Sequence, residues 1–583
     1  MISIRPLVLL ALLLLSMTGS WGSTKAPAIY LYVSPTTVDA WPDKAAGYAD
    51  VLNPWRRYLK KFGSDAKEIG RSELLALNEH RGVVILPSST ALDPSERSAL
   101  LRLSQHGTSL FGTGLIGSQN ERQASTGLDF LHGLFRIQTH GEFTSDDGLF
   151  LMPFGDGPIT WPVPAGRRID IGGDGGSRAI RVESRQLAAV MLGWDRLLDT
   201  KPHGALAFDE SDRNRVVYLG LPETAWPSKK AGATALGAIL DASLAWLRRK
   251  PQVFKAAWPH ARQAAHLIEM DTEDRYYSAV NLARDLEKYG YRGTFYSLTS
   301  EAIKYPAIVK ELMQRGHEIA YHADVHYGFG RLPAQEQELR IQFMVQQMRG
   351  ILGEDTRYAT GFRAPTESYD HTTERLLRKH GLRHHAADPA ASEDRLPFFS
   401  IAESGLSAEE ALVVLPRTQW DDVNFTSLRL TPDAVSRVLE FDLDLNFRSA
   451  AFSLLSVHSQ YYTDGALMDR VMADYVRKVA RYGDKLWVAR GDAIAQWWRD
   501  RAQVSIQQAP QDDGILLTLS TPKKVEGITV MVTLPKANAA VRWVDTGQPS
   551  SGPVRVVALD PQRTALVFDR LEPGQVKGLI SVH

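Results

Sequence analysis

Between Ala261 and Arg501 short apolar runs recur: AAHLIEM, GTFYSL, HEIAYH, AFSLLSVH and KLWVA. Amphipathic stretches separate them, among them SAVNLARDLEKYG and PAIVKELMQRG, each with a glycine at its C-terminal end. Apolar residues on a helical period followed by Gly mark a helix and its stop. Strand and helix in alternation predict a parallel sheet with covering helices. Several runs end in a carboxylate or a histidine, which places those side chains along one rim of a barrel-like sheet. The fold class predicted for 256–501 is therefore α/β, a deformed (β/α) barrel.

The flanks read differently. AIYLYVSP and VVILPSS read as strands, with the helical stretch DPSERSALLRLSQHG and the strand-like SLFGTG after them. RVVYLGLP supplies a late strand and ALGAILDASLAWLRR a closing helix. Gly141 to Asp209, rich in Gly and Pro, suggests β insertions. This first region, 27–250, loosely resembles the flavodoxin-like, glutamine-amidotransferase-like domains. It holds no cysteine nucleophile, so a structural or substrate-presenting role is expected of it. Beyond Arg501, ILLTLS, ITVMVTLP, VRVVAL and ALVFDR alternate with turns and predict a small β-sandwich over 502–583.

Composition removes several kinds of chemistry. The chain has no cysteine, which excludes disulfides, thiolate metal sites and cysteine nucleophiles. Any metal must be held by histidines and carboxylates. Lys+Arg and Asp+Glu both number 67, so bulk charge gives no reason to expect a nucleic-acid partner. At the N-terminus Arg5 precedes the apolar run Leu7 to Leu15 and then SMTGSWGS, the pattern of a secretory signal over 1–23. That run is shorter than the roughly 20 residues a membrane span needs. The mature protein is expected to be secreted or periplasmic, with no span after signal removal.

Four polar clusters stand out in the middle region. EMDTED (Glu269 to Asp274) crowds four carboxylates, and GHEIAYHADVH carries His322 and His326 four residues apart. GFRAPTESYD places Arg363 before a proline turn, and LLSVHSQYY ends an apolar run on His458. Each alone has an ordinary reading: a solvated loop, a chance pair among sixteen histidines, a structural ion pair, a hydrogen-bonded strand end. A carboxylate cluster near a core does need a cation or an arginine to offset it.

In this order the four motifs resemble the NodB-homology polysaccharide deacetylases, the family 4 carbohydrate esterases. GTFYSL and GDAIAQWWRDR add to the resemblance, which covers roughly two-fifths of the chain. It implies a NodB-type barrel and a divalent metal held by His322, His326 and one carboxylate of EMDTED. The first motif departs from the family's adjacent Asp-Asp, leaving Asp274 or Glu273 for that ligand, and Asp274 is expected because the family uses aspartate. Two imidazoles and a carboxylate suit zinc first, with cobalt or nickel as alternatives. Asp271 is then the general base with Arg363 paired to it, and His458 the general acid. The residue orienting His458 is expected to be Asp388, with Asp421 and Asp422 as rivals. The metal would polarise an amide carbonyl and lower the pKa of the attacking water.

The function so implied is N-deacetylation of amino sugars in an exported or cell-wall polysaccharide, the polysaccharide being the expected partner. Two other readings stay open: a non-catalytic carbohydrate-binding or assembly protein that keeps the fold, and a small-molecule amidohydrolase.

Overall fold

The computed structural model describes residues 28–78, 82–143, 149–163, 169–171, 179–193, 203–227, 230–387, 395–403, 405–417, 419–546 and 552–583. The expected signal segment 1–23 and Asp388 lie outside the described residues.

On the N-terminal side, strands β1 (Ile29–Tyr32), β2 (Ala66–Ile69), β3 (Val83–Leu86), β4 (Ser109–Thr113) and β5 (Arg215–Leu219) run parallel. Their spatial order is β2-β1-β3-β4-β5. IYLY and VVIL are buried at every position because helices cover both faces, as a continuous apolar run requires. Leu236, Ile239 and Leu240 of the helix Lys230–Leu247 pack on one face, and Leu100 and Leu103 of Pro94–Gln105 on the other. Beyond β5 the same sheet continues through antiparallel strands His203–Glu210, Leu187–Gly193 and Leu149–Pro153. The Gly- and Pro-rich stretch thus adds strands to an existing sheet.

The middle region is built on β6 (Ala264–Thr272), nine consecutive buried residues. Around it stand β7 (Thr294–Ser297), β8 (Glu318–Tyr321), β9 (Gly361–Arg363), β10 (His384–Ala387), β11 (Val413–Pro416), β12 (Phe452–His458) and β13 (Leu486–Val488). They are parallel in the order β11-β10-β9-β8-β7-β6-β12, with β13 also beside β6. A short strand, Phe398–Phe399, pairs antiparallel with β11 at the edge. The result is a mixed α/β fold with a curled, half-barrel sheet.

Strand alternation decides which residues meet inside the curl. On β6, Ile268 and Met270 join the cluster that contains the covering helices, with Leu282 and Val471. Ala265 and Leu267 face the other way, toward Tyr296, Ala320, Ala386 and Leu454. The next residues of that inner series are Glu269 and Asp271. β12 repeats the pattern, with Phe452 and Leu454 inside, then Ser456 and His458. The interior is apolar at one end of the strands and charged at the other.

The C-terminal residues form two four-stranded antiparallel sheets. One consists of Ser505–Gln511, Gly514–Thr521, Gly574–Val582 and Val541–Asp545. The other contains Val525–Thr533, Arg563–Leu571 and Val554–Asp560, with Val253–Lys255 as its edge strand. Val253–Lys255, which lies between the first and middle regions in sequence, is therefore a strand of the C-terminal one. Leu517, Ile580, Val530 and Phe568 share one apolar cluster with Trp497 and Leu267, joining both sheets to the half-barrel. Arg215 on β5 donates to the Pro535 carbonyl at 3.1 Å, and Arg448 pairs with Asp156 at 3.0 Å. Among the described residues no helix is long and apolar enough to cross a membrane.

Candidate active site

The C-terminal ends of β6, β8, β9 and β12 converge on one spot. Glu273 follows β6, His322 follows β8, and His326 lies four residues further along the loop. One ligand atom from each of Glu273, His322 and His326 falls within 4.8 Å of the others, the spacing of a three-donor metal site. His322 Nε2 lies 3.2 Å and His326 Nε2 2.9 Å from Glu273 Oε1. His322 Nδ1 donates to the Arg363 carbonyl at 3.0 Å, which commits that proton to the backbone and turns the Nε2 lone pair toward the cluster. Gln460 donates to the other oxygen of Glu273 at 2.8 Å, and the Glu273 amide donates to Ser459 Oγ at 3.0 Å. The donors fit a divalent cation with nitrogen and oxygen preference.

The loop carrying His326 is held from behind. Arg340 donates to Asp324 Oδ1 at 2.7 Å and to the carbonyls of Val325, Tyr327 and Gly328. Ala323, directly after His322, has φ +86°, a left-handed conformation that costs an alanine about 1 kcal/mol or more. The amides of Thr299 and Ser300 hold the turn through the carbonyls of Ala323 and Asp324.

Asp271 stands beside this cluster. Its Oδ2 accepts from Arg363 Nε at 2.8 Å, and its Oδ1 lies 3.7 Å from His322 Nδ1. Arg363 is fully committed: Nη1 donates to Glu269 at 2.9 Å and Nη2 to Glu367 at 3.0 Å. Arg417 braces Glu367 in turn and also pairs with Asp421 at 3.1 Å.

His458 approaches from β12, its Nε2 3.6 Å from Asp271 Oδ2. Nδ1 donates to Asp422 Oδ1 at 2.6 Å, and the backbone amide of His458 donates to Asp422 Oδ2 at 2.6 Å. Asp422 opens the helix Asp422–Ser427, and Asp421 caps it. Burial disfavours the imidazolium, yet Asp422, aided by Asp271 and Glu273, pushes its pKa up to about 10.

Of the residues expected from sequence, Asp271, His322, His326, Arg363 and His458 come together. One expectation is corrected. Asp274 is exposed at the turn after β6, its carbonyl bonded to Ser459 Oγ, and Glu273 takes the position among the histidines. A strand exposes alternate residues on one face, so Asp271 and Glu273 share the inner side while the chain turns outward at Asp274. Asp388 lies outside the described residues, and Asp422, one of its two rivals from the sequence, is the carboxylate bonded to His458 Nδ1. Glu269, Glu367 and Gln460 carried no expectation as individuals. Only the carboxylate crowding in EMDTED pointed toward Glu269.

Residues 274–385 match the polysaccharide deacetylase family model, so this chain carries a domain of that family. Among solved structures, Agd3, described as a novel carbohydrate deacetylase, aligns at 11% identity with TM-score 0.42, covering 96% of this chain and 99% of that one. A Mycobacterium smegmatis protein assigned as a polysaccharide deacetylase aligns at 19% identity with TM-score 0.36, covering 42% and 93%. The allantoinase Puue aligns at 16% identity with TM-score 0.36, covering 41% and 92%. No curated protein matches the chain.

Proposed function

We propose that this chain, with its polysaccharide deacetylase domain, is an exported, metal-dependent enzyme that hydrolyses N-acetyl groups of amino sugars in a polysaccharide. One observation carries the reading: a two-histidine, one-carboxylate cluster stands beside Asp271, with the Nε2 of His458 3.6 Å from that carboxylate. Amide hydrolysis needs a base for water and an acid for the departing nitrogen, and these side chains supply both from adjacent strands.

Glu273, His322 and His326 would hold the divalent ion, zinc being the first choice and cobalt or nickel the alternatives. When bound, such an ion supplies Lewis acidity toward the amide carbonyl and the attacking water. Asp271 takes one proton as the water oxygen bonds to the carbonyl carbon. Arg363 holds Asp271 with Oδ2 occupied, leaving Oδ1 for the proton. His458 is protonated at neutral pH and gives its proton to the amide nitrogen as the C–N bond breaks. Acetate and a free amine leave, and proton exchange with solvent restores Asp271 and His458. Asp422 fixes the tautomer of His458, so that Nε2 is the atom that delivers the proton.

The N-terminal sheet is read as a flavodoxin-like accessory domain and the C-terminal strands as a β-sandwich, both flanking a polymer-binding face. Export follows from the signal-like segment at 1–23. The test is acetate release from a panel of acetylated polysaccharides, with and without a chelator. Chelator-sensitive release is expected, and Asp271→Asn should abolish it while metal content stays nearly unchanged. Polymer binding without release would favour a non-catalytic role instead.

A further inference from the structure

Beneath the cluster of Glu273, His322 and His326, Glu269 has no exposed surface at all. It lies one inner-face step below Asp271 on β6, opposite Ser456 of β12 and Thr294 of β7 in strand register. Its Oε1 accepts from Arg363 Nη1 at 2.9 Å. Its Oε2 is buried without a hydrogen-bond partner among the described residues, and so are the hydroxyls of Ser456 and Tyr296. Buried polar atoms this deep are usually satisfied. A carboxyl oxygen with no exposed surface and no hydrogen bond needs an explanation.

The charge count supplies one. Glu269, Asp271 and Glu367 all rest on Arg363. Glu367 is also held by Arg417, which holds Asp421 besides. Two guanidiniums therefore serve four carboxylates, and the imidazolium of His458 is already committed to Asp422. The side chains of Glu367 and Asp421 keep some contact with solvent, whereas Glu269 has none. A buried cluster with surplus negative charge sheds it by holding a proton, and the group with least water is the one that takes it.

We propose that Glu269 works as a neutral carboxylic acid and is a positioning residue for the deacetylation read above. As an acid it accepts from Arg363 Nη1 through its carbonyl oxygen and locks the fork of the guanidinium without drawing on its charge. Arg363 then keeps Nε on Asp271 and its carbonyl on His322 Nδ1. The proton then sits on Oε2, the oxygen that accepts no hydrogen bond. Full burial, reinforced by Asp271 and only partly opposed by Arg363, the Ser456 hydroxyl and His458, pushes the Glu269 pKa up to about 8. The groups bearing on it are thus Asp271 on its own strand, Tyr296 on β7, Arg363 on β9, and Ser456 and His458 on β12. Above that pH an ionised Glu269 competes with Asp271 for Arg363.

The inference rests on the deacetylase reading, so its test has an arm that needs no substrate. Infrared difference spectra of the metal-loaded full chain, pH 9 minus pH 7, should lose a carboxylic-acid C=O band in the wild type. Glu269→Gln should show no such loss. A wild type without that band at pH 7 overturns the proposal whatever the acetate assay gives. In the second arm, Glu269→Gln should stay within about threefold of wild-type kcat near pH 6.5 and lack the wild-type decline between pH 7 and 9. Glu269→Leu, which cannot bond Arg363, should lose about 30-fold or more in kcat with KM nearly unchanged. If Glu269→Gln follows the wild-type pH profile, Glu269 is merely structural and the positioning role fails. If the wild type releases no acetate from any substrate, the deacetylase reading falls, while the infrared band still decides the state of Glu269.

Discussion

At Glu273 and Asp274 two adjacent carboxylates differ completely in surroundings. Glu273 is 9% exposed and faces two histidines, whereas Asp274 points into solvent. Glu273→Ala should therefore abolish stoichiometric metal binding, and Asp274→Ala should leave it within experimental error of wild type. Metal content of the two purified variants checks this, and retention by Glu273→Ala would mean the ligand set is wrong. Asp422 can be isolated in the same way. Asp422→Asn removes the charge that sustains the His458 imidazolium, so the pKa of His458 should fall from about 10 toward the ordinary histidine range. The loss in kcat should be about 100-fold with metal content unchanged, the size expected when an acid catalyst is mispositioned. NMR titration of the His458 ring tests the first half and steady-state kinetics the second. The positions of Asp271, His458 and the histidine pair along one rim were legible in the sequence, because each sits at or just beyond the end of a recognisable apolar run. The choice between neighbours was not, because one residue of chain direction decides it.

Two kinds of support hold the site, strand register on one side and a braced loop on the other. Glu269, Asp271, Ser456 and His458 sit on two strands in direct register, so their relative positions are set by backbone hydrogen bonds. His326 instead rides a loop whose shape depends on Arg340 and a left-handed Ala323. Arg340→Ala should weaken metal affinity by about 10–100-fold, the usual range for losing an outer-shell support, without unfolding the protein. Competition with a chelating dye gives the affinity, and far-ultraviolet circular dichroism reports the fold. Unchanged affinity would show that the loop holds its form without this brace. Of the sheet strands, β6, β7, β8, β12 and β13 were legible as apolar runs. β9 and β10 were not: GFR is three residues long, and HHAA reads as polar. HHAA is nevertheless buried, because His384 pairs with Glu318 at 2.8 Å and His385 with Glu374 at 3.2 Å. Such pairs satisfy buried polar groups from residues 66 and 11 positions away, which no local pattern encodes.

Across the whole molecule, buried titratable groups should shape stability against pH. His266 is fully buried between Ser453 and Tyr475, and burial lowers its pKa to about 4. Its unfolded state binds a proton more readily, so its contribution is complete above about pH 6.5 and is lost as pH falls toward 4. Glu269 acts with the opposite sign. With a folded pKa near 8, it favours the folded state at low pH, and that advantage disappears as pH rises from about 4.5 toward 8. The metal-free chain should therefore resist thermal unfolding most in a window between these limits. His266→Gln should flatten the acid side by up to about 3 kcal/mol, and Glu269→Gln should flatten the alkaline side. Identical pH curves for wild type and both variants would refute the assignment of these two groups. The sequence by itself determined the alternation of strand and helix, the lack of any thiol chemistry, and the order of the four motifs, because periodicity and residue type are local properties. Only the tertiary structure decided that Val253–Lys255 belongs to the C-terminal sheet, that Glu273 rather than Asp274 faces the histidines, and that Asp422 holds His458. It also decided that one arginine must serve three carboxylates, because charge compensation depends on which strands lie side by side in the curled sheet.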